Sequence, residues 1–530
     1  MRVPGSRGRR DGTAISHTAA PSRAHSAGRT PPSYELLAAR HSSKTGQSGR
    51  GRLEAHPERR SAVIDPFSSA VELATAIRER EVSPVEVAEC YLDRIAKLDP
   101  KLNAFCFRAD DDVRAAAADA ADAVVRSAPE ELPSFHGVPI PVKDLVDVAG
   151  WPTTYGSLAT HRAPRTASDP VVQRLTGAGF IPLGKTTTSE FGAVSFTESE
   201  AQGISRNPWD PSRTPGGSSG GAAIAVAAGM APIAHAEDGG GSIRVPAACT
   251  GLVGLKPTRG LVTNACVEVE GFGTGGVVSR TLADTAAALD VLARHDPGAW
   301  WSPPTPTRSL TDALTTAPPT GLRIGVLTTS LIDGISVEPA CLTAVDTTLR
   351  TLERAGHEIV DDQLPLPTAE ELLPTFMKIW NVAGAGIPLA DPDRVEPHNR
   401  AQRDAAGTVD SWAYAESVHT AQQLSRRVVE AFTSSVDLLV TPTTACLPPQ
   451  VGAWRESGDP VAASYPMAVF TSLFNVTGQP AISVPVRHDD ASGLPVGVQL
   501  VAAPWREDLV LQVARTLEQT HPWAQRRPAM

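Results

Sequence analysis

The reading turns on Arg213-Thr-Pro-Gly-Gly-Ser218-Ser219-Gly-Gly221, then the small apolar run 222–229, then 231–238, then Gly239-Gly240-Gly241-Ser242-Ile-Arg244-Val-Pro246. Two glycine-rich turns each deliver a serine to the expected start of a helix, with a strand expected between them. Glycine permits backbone angles that side chains forbid, and it leaves N–H groups uncovered. Successive uncovered N–H groups at a helix N-terminus favour negative charge.

Three chemistries compete for such a stretch. A phosphate-binding loop needs G-x-x-x-x-G-K-[ST], and no lysine follows either glycine cluster. A nucleophile elbow needs G-x-S-x-G, which residues 216–220 and 217–221 both fit. An elbow follows a buried strand, however, and residues 210–215 read as a loop. It also needs a downstream histidine, and nothing marks His488 or His521 for that role. The third chemistry is two serines cooperating with a lysine. Lys143 ends the apolar run Pro139-Ile-Pro-Val142. Partial burial there lowers an amine's pKa toward neutrality, and a neutral amine serves as a general base.

Outward from this stretch the chain alternates helix and strand. Ser83-Pro84-Val85-Glu86 is a capping box with proline at the first helical position. The helix it opens is expected to end before Pro100. Residues 115–126 read as helix, 137–142 as a proline-punctuated strand, and 170–177 as a helix closed by Gly177 and Gly179. Strands are expected at 180–183, 322–327 and 437–440, and a helix at 342–355. The pattern predicts an α/β protein on one large sheet.

Composition narrows the function. The chain has 530 residues, 41% hydrophobic and 20% charged, with a formal net charge of -10. That argues against nucleic acid or an anionic membrane as the main partner. Aromatics, at 5%, are too sparse for base stacking to dominate. The six cysteines form no C-x-x-C pair and have no histidine at zinc-like spacing, so reduced thiols are expected. No apolar run is long enough for a membrane span, and no apolar segment follows Arg9-Arg10 to make an export signal. A cytoplasmic location is expected. Residues 1–62 differ from the rest. The first 60 hold Lys44 and eleven arginines against Asp11, Glu35, Glu54 and Glu58. Rich in Ser, Gly, Pro and Arg and without apolar period, residues 1–62 are expected to be a disordered basic tail, followed by one domain over 63–530.

Taken together, Lys143, the Gly-Gly-Ser-Ser-Gly-Gly core at 216–221 and Asp238-Gly-Gly-Gly-Ser242-Ile-Arg-Val-Pro246 resemble the amidase signature family. Gly254-Leu-Lys-Pro257, Pro480-Ala-Ile-Ser483 and Pro495-Val-Gly-Val-Gln-Leu500 resemble it too, and the similarity runs from about residue 66 to 524. The resemblance implies a single α/β domain with a mixed central sheet flanked by helices. It implies Ser242 as nucleophile, Ser218 as a bridging serine after a cis peptide, and Lys143 as base. It implies an oxyanion hole from the N–H groups of Gly239, Gly240, Gly241 and Ser242. The activity implied is cleavage of a carboxamide through an acyl-enzyme, linear amides first, with no metal or organic cofactor. The implied partner is a small amide substrate, with no nucleic acid or membrane; a homodimer is compatible with the reading.

Other residues carry structural expectations. Ser219 reads as a hydrogen-bonder, and Asp238 and Arg244 as a pair holding the nucleophile's turn. Cys249 and His235 read as core or pocket-lining. Ser242 as a mere helix cap is the competing role to exclude. Many family members have Gly-Thr-Asp-Thr where this chain has Ala236-Glu-Asp-Gly239; the Asp-Gly-Gly-Gly-Ser form is similar to members acting on secondary or cyclic amides and aryl acylamides. The A-type glutamyl-tRNA amidotransferase chain, which needs partner subunits, is the alternative within the family; it usually has glutamine where Val245 stands, which weighs against glutamine binding here. A non-catalytic binding protein and an RNA-binding tail are the alternatives from other classes. The variable stretches 264–310 and 366–435 are expected to line the acyl pocket with Trp300, Trp301, Phe376, Trp380 and Trp412.

Overall fold

The computed structural model describes residues 64–263, 268–360 and 364–530. The tail expected over 1–62 lies outside the described residues. So does residue 63, and with it the expected domain start.

The capping box at Ser83 forms: Ser83 Oγ accepts from Val85 N–H, and the Glu86 carboxylate accepts from Ser83 N–H at 2.9 Å. Helix α1 then runs Pro84–Leu102, through Pro100 rather than ending before it. Pro100 stands in the last turn, where proline removes only one intrahelical bond. Asn103 (φ 55°) closes the helix, and the Asp99 carboxylate takes the next two N–H groups, of Ala104 and Phe105. Helix α2, Asp110–Arg126, starts five residues earlier than the alanine run suggests. Asp110, Asp111 and Asp112 fill its first turn and complement its dipole.

A small ladder holds β1 (Phe105–Phe107), β2 (Pro139–Lys143) and β3 (Ile181–Thr186) in the order β1-β3-β2. Strands β2 and β3 are parallel, and Lys143 sits opposite Thr186. All five residues of β2 are buried. The helix expected from Asp169 forms as α3, Pro170–Gly177.

The central sheet has eight strands. They are β4 (Ile233–Asp238), β5 (Val253–Lys256), β6 (Thr274–Ser279), β7 (Arg323–Val326), β8 (Glu358–Ile359), β9 (Leu438–Pro442), β10 (Ala481–His488) and β11 (Pro495–Ala502). Their order is β8-β7-β9-β11-β10-β5-β6-β4. The pairs β8/β7 and β7/β9 are parallel and the rest antiparallel, so the sheet is mixed, as expected. Helices flank it. Helix α4 (Gly220–Ala227) and α5 (Arg244–Thr250) are buried on every side, which explains the unbroken small and apolar composition of α4; in α5 the buried Arg244 is paired with Asp238. The amphipathic α6 (Pro339–Arg354) lies outside. Among the described residues no helix is long and apolar enough to cross a membrane.

Candidate active site

Strand β4 carries the site, with both glycine-rich turns at its C-terminal end: the first is bonded to Glu237 and the second follows Asp238. In the first turn the Gly217–Ser218 peptide is cis. Lys143, at the end of β2 and 1% exposed, donates from Nζ to Ser218 Oγ at 2.8 Å and to the Glu237 carbonyl at 3.4 Å. The adjacent Ser219 turns away. Its Oγ donates to the Glu237 carbonyl at 3.2 Å and accepts from Glu237 N–H at 3.4 Å, clipping the turn to β4.

The second turn is built around Asp238. Its carboxylate accepts from the N–H groups of Gly241 (2.7 Å), Ile243 (3.1 Å) and Arg244 (3.4 Å). It also takes both Arg244 Nε (2.9 Å) and Nη2 (2.8 Å), with both side chains fully buried. Burial alone would raise this carboxyl's pKa. The Arg244 charge, its hydrogen bonds and the Asn475 amide outweigh burial and hold it well below the usual carboxylate range. Arg244 is fully engaged elsewhere too, donating to the Thr471 carbonyl, Gln499 Oε1 and Asn475 Oδ1. Asp238 thus caps α5, whose N-cap position belongs to Ile243. Ser242 is therefore not the cap.

The expected oxyanion hole is corrected at one residue. Gly241 N–H is held by Asp238, and the Gly240 carbonyl on the same peptide accepts from Thr471 Oγ at 2.7 Å. That peptide is clamped at both ends, so Gly241 forms the turn (φ 137°) instead of offering a donor. The N–H groups of Gly239, Gly240 and Ser242 are those Asp238 does not take.

Ser242 is half-buried and opens on a cavity lined by Gly192, Gly240, Phe376, Trp380, Tyr465 and other small or apolar residues, none charged. Ser218 faces the same place. A Cβ on Gly192 would stand 3.3 Å from Ser218 Oγ. Of the five aromatic residues expected at an acyl pocket, Phe376 and Trp380 line the cavity at Ser242. They stack at 5.3 Å one helical turn apart on α7 (Ala369–Ala385). Trp300 and Trp301 instead line a separate groove with Arg259 and Trp505, because the Trp301 ring is anchored against Gly271. Trp412 is exposed.

His235 is fully buried on β4. Burial first, then the charges of Lys143 and Lys185, lower its pKa to about 3, so it is a neutral core residue. Cys249 lies among Val194, Val245 and Met467, and burial pushes its thiol well above the usual range. Neither is placed for nucleophilic work.

These features have counterparts in known proteins. The family model described as Amidase matches residues 86–511. The chain belongs to the amidase signature family. A 6-aminohexanoate-cyclic-dimer hydrolase of Paenarthrobacter ureafaciens is 35% identical over 498 residues, 88% of this chain and 97% of that one. The A-type chain of the glutamyl-tRNA(Gln) amidotransferase of Chloroflexus aggregans is 36% identical over 487 residues, 86% and 96% of the two chains. A solved structure of 6-aminohexanoate cyclic dimer hydrolase with substrate matches with a TM-score of 0.79 at 34% identity, covering 88% of this chain and 99% of that one.

Within this amidase-family site, sequence reasoning missed the residues that brace the second turn from afar. Thr471 and Asn475 come from a short helical segment some 230 positions later, and carry no motif. Gln499 stands in the 495–500 stretch already singled out for its resemblance, which is the one signal that could have found it. Asp144 was also missed. It is buried beside Lys143 and pairs with the fully buried Lys185 at 3.2 Å.

Proposed function

We propose that the chain hydrolyses carboxamides with an uncharged, apolar acyl group, using Ser242 as nucleophile, Ser218 as proton bridge and Lys143 as base. The observation that carries this reading is the buried 2.8 Å contact between Lys143 Nζ and Ser218 Oγ, beside a cavity that Ser242 lines. Burial removes the water that would favour an ammonium. Neutral Lys143 takes the Ser218 proton as Ser218 takes that of Ser242. Ser242 Oγ attacks the amide carbon, and the N–H groups of Gly239, Gly240 and Ser242 receive the developing oxyanion. Each such donor is worth about 3 kcal/mol of barrier. The proton returns through Ser218 to the leaving nitrogen, and water then releases the acid from the acyl-enzyme. The apolar lining supports a linear aliphatic or aryl acyl chain. It offers no charge to the ammonium and carboxylate of glutamine, which weighs against the amidotransferase reading despite the similarity to the A-type amidotransferase chains.

The test is amine release by the purified protein from primary amides, anilides, cyclic and linear diamides, peptide amides and glutamine. Release should fall by at least about 10⁴-fold in Ser242→Ala, with unchanged thermal stability since Ser242 caps nothing. Release that survives in Ser242→Ala would refute the assignment.

A further inference from the structure

A second cavity, of about 350 Å³, adjoins the one at Ser242, sharing Ala193 and Trp380 with it. It is lined by Leu145 and Phe191. Gly192, which follows Phe191 and lines the first cavity, stands between them and Ser218: a Cβ on it would meet Leu145 Cδ1 at 2.9 Å and Ser218 Oγ at 3.3 Å. Ser218 therefore stands near where the two cavities meet, with the second cavity reached past Leu145. In the proposed function the apolar first cavity takes the acyl group and Ser218 hands its proton to the leaving nitrogen, which leaves this adjoining cavity for the amine half of the substrate.

Three side-chain amides line this second cavity: Asn381 on α7, and Asn399 and Gln402, one turn apart on α8 (Pro397–Gly407). Each carries an orphan atom. Asn381 Oδ1, Asn399 Oδ1 and Gln402 Nε2 are buried and have no hydrogen-bond partner among the described residues. Asn399 is 1% exposed, and its orientation is fixed, because Nδ2 donates to Glu190 Oε2 at 2.8 Å and to the Glu190 carbonyl at 3.2 Å. Asn381 and Gln402 also border a wider outer cleft; Asn399 lines the inner cavity alone. Buried polar atoms are almost always paired, and three orphans around one cavity call for a ligand that pairs them. The set is two acceptors and one donor. A primary carboxamide is the complement, with two N–H donors and one carbonyl. The charged side chain that lines the cavity, Arg403, already donates to the Gly384 carbonyl at 2.9 Å.

We infer that this cavity holds a second, neutral carboxamide on the amine half of the substrate, so that the substrate class is diamides: one amide cut at Ser242, the other held by Asn381, Asn399 and Gln402. The inference rests on the Ser242 reading for the label "amine half".

The experiment measures binding to the Ser242→Ala protein by calorimetry. The compounds share one apolar acyl group and a series of linker lengths. Their amine ends carry a carboxamide, its apolar isostere isopropyl, or a carboxylate. At the best length the carboxamide should bind about tenfold tighter than the isopropyl compound. The double variant Asn381→Leu/Gln402→Leu on the same background should erase that difference, while affinity for the isopropyl compound holds. Asn399 is left intact because it also secures Glu190. Equal binding of carboxamide and isopropyl ends at every length overturns the inference. Tighter binding of the carboxylate overturns it too, in favour of Arg403. Turnover of the same compounds by the unmutated protein separates the two readings. Turnover without carboxamide preference removes the diamide inference alone. Carboxamide preference without Ser242-dependent turnover overturns the nucleophile assignment and, with it, the label of this cavity as the amine side.

Discussion

The two glycine-rich turns look alike in sequence, but Gly217 and Gly221 of the first and Gly240 of the second are glycine for different reasons. In the first, glycine is demanded by packing. A Cβ on Gly221 would lie 2.5 Å from the Ala104 carbonyl and from Thr187 N, and one on Gly217 would lie 2.8 Å from the Phe196 backbone. These neighbours are main chain and cannot step aside. In the second turn, a Cβ on Gly240 would meet only Phe376 Cζ, at 3.5 Å, an ordinary contact. Gly240 is bare because it floors the cavity at Ser242. The first turn is glycine-rich so that Ser218 can be driven deep beside Lys143. In the second, Gly241 is also demanded by packing, since its Cβ would lie 2.3 Å from Thr471 Oγ, and Gly240 is the residue left bare so that something else can approach.

The sharpest way to break this contrast is to add one methyl group to each turn. Gly221→Ala should cost more than about 4 kcal/mol, since overpacking against backbone has no cheap relaxation; loss of the cooperative denaturation transition is the readout. Gly240→Ala should melt within about 2 °C of the parent, as an exposed-type substitution does. Its amidase activity should nonetheless fall, because the methyl enters the cavity. If Gly221→Ala folds as well as Gly240→Ala, the two turns are not built differently.

The next effect concerns how the second turn is held while remaining open. Asp238 and Arg244 are a buried pair, and breaking one partner of such a pair costs about 3–5 kcal/mol. Asp238→Asn should show this loss at neutral pH. The Asp238 carboxyl is held below its ordinary value, so its stabilisation is fully present above the unfolded-state pKa and is lost as pH falls through the lower folded-state one. The gap between parent and Asp238→Asn in urea denaturation should therefore narrow below about pH 4. A gap that stays constant in acid would mean that shape, not charge, holds the turn.

Much of this was legible in the chain. The serines, Lys143 and the Asp238–Arg244 pair all sit in short motifs whose residue types state their chemistry. The helix–strand alternation followed from periodicity. What sequence could not show was set by distance in the chain. Thr471 and Asn475 brace Gly240 and Asp238 across more than 200 residues, and nothing local marks them. The same holds for the aromatic residues. Trp301 and Trp380 look equally fit for an acyl pocket, and only packing against Gly271 takes Trp301 to another face. Gly241 was misassigned for a subtler reason: the carboxylate that consumes its N–H is three residues away, and the glycine run gave no sign of which N–H groups the turn keeps for itself.

The smallest effect tests the first turn from within, through its adjacent serines. Ser218 and Ser219 are both buried and both hydrogen-bonded, yet they face different partners. Ser218 Oγ meets the Lys143 amine, whereas Ser219 Oγ meets the backbone of Glu237. Ser219→Ala removes two long bonds, of 3.2 and 3.4 Å, and should cost about 1 kcal/mol, with turnover changed by no more than about twofold. The Glu237 carbonyl keeps Lys143 as a donor, so no buried acceptor is orphaned there. Ser218→Ala should invert the pattern, with turnover falling by several orders of magnitude and only a similar small loss of stability. Measuring kcat and urea midpoint for both variants checks the division of labour between neighbouring residues of one turn. If Ser219→Ala abolished turnover while leaving stability intact, the proton path would have to run through Ser219. The 2.8 Å contact between Lys143 and Ser218 would then be structural.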